Sequence, residues 1–134
     1  MSWITDIIAR LKADGTLSAL VGTRVYATVA PSGATTPYVV WRRTSVTRVD
    51  SHDGASGLAT QMLQVTCLDA DYLDALAVAD AVRGSLDGAD GTIGSTTGMR
   101  IRFVGGGDTP NMDPKDEARQ IHGIYHEYEV WHNE

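Results

Sequence analysis

The chain has 134 residues, a formal net charge of −6, 43% hydrophobic and 21% charged side chains. That balance suits one folded domain over residues 1–134 and excludes a disordered or fibrous chain. No apolar run reaches the roughly 20 residues of a bilayer span, and Asp6 breaks the N-terminal apolar stretch that a signal peptide would need, so the sequence predicts a soluble, unexported protein. The single cysteine, Cys67, excludes an internal disulfide, a cysteine zinc cage and a CxxC redox motif.

The first helix is expected after Ser2, a good N-cap, with Asp6 in the first turn, where the helix dipole favours a carboxylate. Ile4, Ile7, Ile8 and Leu11 recur at helical spacing. Gly15 fits a stop, Thr16 can cap a short turn over 17–21, and Gly22 closes it. From Arg24 the period becomes two, with Val25, Ala27 and Val29 on one face and Pro31 as terminator. Residues 38–49 and 58–68 are rich in β-branched and aromatic side chains and flank the polar segment DSHDGASG at 50–57, the pattern of a long hairpin. A twelve-residue strand spans about 40 Å, against a radius of gyration of about 14 Å for a globule of this size, so the hairpin tip should reach the edge of the body.

After Asp69, which can cap with Asp71, the residues Tyr72, Ala75, Leu76, Ala79, Val82 and Leu86 mark the face of the main helix, and Gly88 can end it. Leu76, Ala79 and Val82 are expected to pack on Leu63, Val65, Ile101 and Phe103. The stretch 87–98 lacks bulk and reads as a loop. Met99, Ile101 and Phe103 alternate with Arg100 and Arg102 as a strand. The segment 105–118, with its glycines, prolines and acidic residues, reads as an exposed loop, and a last strand follows over about 119–131.

Charge is uneven along the chain. Residues 1–49 hold six basic and two acidic side chains, a sum of +4, and residues 50–134 hold five and fifteen, a sum of −10. Tight nucleic-acid binding needs a positive face, and this chain offers only the local group Arg42, Arg43 and Arg48. Halves of opposite sign suit head-to-tail contact between copies, and equally suit pairing across a sheet within one copy.

No pattern for catalysis or a cofactor stands out, so no cofactor, catalytic residue or metal ligand is assigned. His122, His126 and His132 share a face on a strand, yet four residues of strand separate side chains by about 13 Å, too far for one ion; the sequence predicts exposed sheet-face histidines. The DSHDG loop lacks the ligand pattern of a calcium site. The triplet 105–107 is followed by Asp108, which would repel a phosphate. Cys67, between Thr66 and Leu68, reads as a buried structural thiol. The alternative to a binding-free structural protein is a small metal-dependent enzyme or ligand-binding domain using the histidine strand.

The segments LSALVGTRVYATVAPSGATTPYVVWRRTS at 17–45, HDG at 52–54, LQVTCLDADYLDALAVADAVRGSLDG at 63–88 and EYEVW at 127–131 carry a further signal. In that order and spacing they resemble the bacteriophage tail-completion or tail-terminator proteins, which join head to tail and also occur in gene transfer agents. The resemblance implies an α+β domain with an antiparallel sheet and helices on it. With the elements above, this means about four to five strands, one main helix and a short N-terminal helical segment. It also implies a non-enzymatic assembly protein that forms a ring, six-membered in the related terminators, on the end of a tail tube. Its partners would be further copies, the tail tube protein and a head connector or stopper protein, with DNA passing through unbound and no membrane involved. It would be found in the host cytoplasm during assembly and then in the particle tail.

Two sets of residues are expected at interfaces. Arg42, Arg43 and Arg48 should meet acidic residues of a neighbouring subunit. The hairpin tip with Asp50, His52 and Asp53, and the acidic loop with Asp108, Asp113, Asp116 and Glu117, combine charge with little apolar bulk, so they are expected to order only against a partner.

Overall fold

A computed structural model describes residues 3–28, 35–51, 54–93, 96–109 and 121–133. Three helices and six strands follow in the order α1 (Trp3–Ala13), α2 (Gly15–Val21), β1 (Val25–Ala27), β2 (Tyr38–Ser51), β3 (Gly54–Asp69), α3 (Tyr72–Leu86), β4 (Asp90–Ile93), β5 (Thr96–Thr109) and β6 (His122–Asn133). The strands form one sheet in the order β1-β2-β3-β6-β5-β4. Only the β1–β2 pair is parallel. The α+β class agrees with the sequence, with six strands in place of four to five.

Helices cover one face of the sheet. Alternation places Leu63, Val65 and Cys67 of β3 and Ile124, Tyr128 and Val130 of β6 on that face, and all six are buried in one cluster with α1, α2 and α3. α3 lies over β3, β6 and β5. Its buried stripe is Ala75, Val78, Ala79, Ala81, Val82, Ser85 and Leu86. The expected stripe is thus rotated toward Val78 and Ser85: Leu76 is only partly buried, and Tyr72 is 38% exposed. Phe103 is likewise partly buried at the edge of the core. In α1 the stripe Ile7 and Leu11 is completed by Trp3 and flanked by Ile4 and Ile8. Asp6 lies in the first turn, as expected, and is buried.

Caps explain where the helices start. The carboxylate of Asp71 accepts from the amides of Leu73 and Asp74 and so begins α3. Asp14 does the same for α2 through the amide of Leu17, which moves that helix start ahead of the expected Thr16 cap and makes Gly15 its first residue. Gly22 and Gly88 lie just past helix ends at positive φ, which suits a residue without Cβ.

Two segments expected as loops hold strands: parts of 87–98, and 105–109 of the segment 105–118, whose remainder lies outside the described residues. β4 lies inside 87–98, with Ile93 buried and its neighbours exposed, a short edge strand that needs bulk at one position only. β5 runs on through Gly105–Gly107 to Thr109, paired with β6 from Gly105↔Glu127 to Thr109↔Gly123. Glycines leave no side-chain periodicity to read, and here they allow close packing: a Cβ on Gly106 would collide with the carbonyl oxygen of Tyr125. The β2–β3 hairpin is also longer than expected, with strands reaching Ser51 and Gly54 into the expected tip at 50–57, of which His52 and Asp53 lie outside the described residues. Bulges interrupt β2 between Arg43 and Ser45 and β5 between Phe103 and Gly105.

Candidate assembly interface

β2 and β5 both outrun their outer neighbours. β1 pairs with β2 only at Val39, Val40 and Trp41. β4 pairs with β5 only as far as Arg100, after which Ile101 is bonded by the backbone of Gly88 and Ala89, and the amide of Phe103 donates to the carboxylate of Asp87. Past these points, β2 over 42–51 and β5 over 104–109 have no strand on their outer side among the described residues. The two stretches lie at opposite margins of the sheet and at opposite ends of the strands. Unpaired strand margins are templates for further pairing.

The basic group sits on the β2 margin. Arg42 is exposed on the face away from the helices, where its Nε donates to Oε1 of Gln64 at 2.5 Å. Arg43 is exposed on the helix side, directly before the bulge, and makes no ion pair among the described residues. Arg48 and Asp50 lie on β2, but their side chains fall outside the described residues, as do His52 and Asp53 altogether. Asp108 is exposed on the β5 margin, where both carboxylate oxygens accept from the Tyr72 hydroxyl at 3.0 and 3.1 Å. That hydrogen bond, with burial and the carboxylate charge adding to it, raises the Tyr72 pKa above its ordinary value. Asp113, Asp116 and Glu117 are outside the described residues. β3 and β6 separate Arg42 and Arg43 from Asp108, so the chain does not bring its own expected partners together.

Between the margins, the uncovered face carries a polar and aromatic ladder that the sequence reading did not single out. Arg102 and Glu129 pair at 3.5 Å, and the indole of Trp131 donates to the same carboxylate oxygen at 2.6 Å. Arg102 and Glu129 are 27 residues apart, and only the β5–β6 register makes them neighbours. A small apolar cluster on this face joins Tyr38, Leu68 and Ile121, with Tyr26 and Val40 against it.

The three histidines of β6 share a face, but it is the helix-covered one; the expectation of exposed rings holds for His122 and is corrected for His126 and His132. His132 is buried and stacks on Trp3 with centroids 5.5 Å apart, and its Nε2 lies 3.4 Å from the carboxamide nitrogen of Gln61. His126 is partly buried against Phe103 and Tyr128, with its Nδ1 3.2 Å from the Tyr128 hydroxyl. Desolvation, helped by the Arg83 charge and opposed by Asp80, holds the His126 pKa below its ordinary value. The Arg83 guanidinium lies 4.2 Å from the centroid of the Phe103 ring, a cation–π contact at the rim of the core. His122 is exposed, edge-on to Tyr72. Each ring is thus engaged by a different part of the body, and among the described residues no three His, Cys, Asp or Glu side chains gather as a metal cluster. Cys67 is buried, as expected, and burial pushes its thiol pKa far up, which keeps it protonated and unreactive.

Residues 5–131 match the family described as Tail completion protein gp17. Among solved structures, a chain of "Virion of native gene transfer agent (GTA) particle" has the same fold, with a TM-score of 0.79 at 24% identity over 99% of this chain and 96% of that one. A search of curated proteins finds no match.

Proposed function

The chain belongs to the Tail completion protein gp17 family, and from that premise we propose that it is a structural subunit that closes the end of a phage-type tail tube as a ring and joins it to the head. The family match over residues 5–131 carries this reading. The likeness in fold to a chain of a gene transfer agent particle supports it, and so do two sheet margins of opposite charge character that carry no further strand among the described residues.

A contact between unlike surfaces builds rings or filaments, and a ring forms when the rotation it imposes closes. The neighbours in such a ring would be held by Arg42, Arg43 and Arg48 against acidic groups of the next copy, with Asp50, His52, Asp53, Asp108, Asp113, Asp116 and Glu117 facing further copies, the tail tube or the head connector. Six copies are the number the related terminators suggest. Every copy brings a net charge of −6, so the ring is acidic and DNA crosses it without adhering. Assembly takes place in the host cytoplasm, and the finished ring stays in the particle tail.

The test is negative-stain microscopy of the purified protein mixed with purified tail tubes. The expected result is ring-shaped density on one end of each tube and an arrest of tube growth. Tubes that stay bare and continue to lengthen in a molar excess of the protein would overturn the proposal.

A further inference from the structure

We infer that neighbouring copies join through their backbones, the free stretch of β2 in one copy pairing antiparallel with the free stretch of β5 in the next, so that one sheet continues from subunit to subunit. The inference rests on the ring reading above and specifies its contact.

Three observations converge on it. First, the margins are complementary in direction. β2 is antiparallel to β3, β3 to β6 and β6 to β5, so β2 and β5 run in opposite senses. When copies stand side by side in the same orientation, β5 of one therefore meets β2 of the next as an antiparallel pair, like every adjacent pair in the sheet except β1–β2.

Second, the charges match in that arrangement. Antiparallel pairing sets the beginning of the free β2 stretch, with Arg42 and Arg43, against the end of the free β5 stretch, with Asp108. All three side chains are exposed in the single chain. The glycines preceding Asp108 leave that margin without side chains to fend off a second backbone.

Third, the offset suits closure. In one copy Trp41, Val65, His126 and Gly106 lie on a single row across the sheet. Bringing 104–109 of one copy beside 42–51 of the next shifts the rows by roughly three to five residues, or about 10–17 Å along the strands. Four strands, β2, β3, β6 and β5, span about 19 Å at the usual spacing. The copies then lie on one level when the strands tilt by roughly 30–40° from the ring axis, close to the tilt at which closed barrels form, about 35–45°. A stagger that would make a flat ribbon climb is thereby absorbed.

The ladder also identifies the groups that would bond. The amide of Val39 donates outward to Arg24 and the carbonyl of Trp41 accepts from Thr28, so odd-numbered residues face outward before the bulge. The bulge between Arg43 and Ser45 reverses this, and Val46 and Arg48 face outward beyond it, up to the second irregularity between Val49 and Asp50.

Val46→Pro removes one outward amide, and Val46→Ala trims the side chain and keeps the amide. In the tail-tube assay and by light scattering, Val46→Ala should still form rings. Val46→Pro should need at least a tenfold higher concentration while keeping the circular dichroism spectrum of the folded chain. Equal assembly by the two variants would overturn backbone pairing. A second measurement covers the case in which proline disrupts folding. Val104→Cys is combined in turn with Val46→Cys, Arg48→Cys and Asp50→Cys, and rings are treated with a short bifunctional thiol reagent. At least one pair should give covalent ladders up to the ring size, and variants with only one cysteine added beside the buried Cys67 should give none. Rings that are visible but never ladder overturn the strand pairing and leave the ring reading standing. Absence of rings from the parent protein, even on tubes, overturns both.

Discussion

The two faces of the sheet solve different problems. On the covered face, Leu63, Val65, Tyr128, Val130 and Ile101 are buried under three helices, and their alternation is nearly uninterrupted. On the opposite face, Arg42, Gln64, Arg102, Glu129 and Trp131 are exposed or half-buried and pair with one another, and only a small apolar patch around Leu68 breaks their polarity. One face is closed within the chain. The other stays largely polar, and the margins of the sheet carry no further strand beside 42–51 and 104–109 among the described residues. Stability is therefore concentrated on one side of the sheet, and changes on the other side can alter contacts between molecules at little cost to folding.

Substitutions can break that division or sharpen it. The largest effect is expected for Leu63→Ala, which empties a fully buried site beneath α3: about 2–5 kcal/mol by denaturant titration, against about 1 kcal/mol or less for Val40→Ala on the opposite face. Similar costs for the two would refute the division. Next is the glycine pair on β5. Gly106→Ala drives a methyl into the Tyr125 carbonyl and should cost about 1–3 kcal/mol, whereas Gly105→Ala meets nothing within 4 Å and should change stability by less than about 1 kcal/mol. Equal losses would show that β5 is not held as tightly to β6 as the geometry requires.

A third effect depends on pH. His126 has a lowered pKa in the folded chain, so the unfolded chain takes up the proton first. The stability this group contributes is present above the ordinary histidine value of about 6.5 and is lost as pH falls through the lower, folded-state value. The melting temperature of the parent should fall more steeply below pH 6.5 than that of His126→Phe, and parallel acid limbs would count against the partly desolvated ring. The smallest effect belongs to the uncovered face. Arg102→Ala removes an exposed ion pair with Glu129 and should cost less than about 1 kcal/mol, fading further in 1 M salt.

Legibility in the sequence followed the same division. The long hairpin, the main helix and the burial of Cys67 could be read because β-branched and apolar residues recur at periods of 2 and 3.6, and burial is what those periods record. The stripe of α3 was misjudged at its first turn: Tyr72 and Leu76 fit the period, yet the helix begins at the rim of the sheet, where Tyr72 turns outward to Asp108. β4 and the end of β5 were unreadable because glycine carries no pattern, and only pairing with a neighbouring strand makes them strands. The histidines of β6 were correctly placed on one face, but which face depended on Trp3 and Phe103, 129 and 23 positions away from His132 and His126, respectively. The arginine group was visible as a cluster of charge. That it lies on a margin with no further strand among the described residues follows from β1 ending after three residues, a feature of topology that composition does not hold.

The position of β6 has a consequence for how the molecule is made. It lies between β3 and β5, both of which leave the ribosome before it, and Leu63 must wait for Tyr128 to arrive. Until then the β1-β2-β3 and β5-β4 parts of the sheet have no strand between them to join them. Pairings across such long sequence separations form slowly, because the intervening chain must close first. Folding is thus deferred until β6 has emerged, and the outer margins of β2 and β5 are held in a fixed relation only after β6 has been inserted. A chain interrupted before β6 would carry both margins with no shared frame between them and would be a poor substrate for building into any particle.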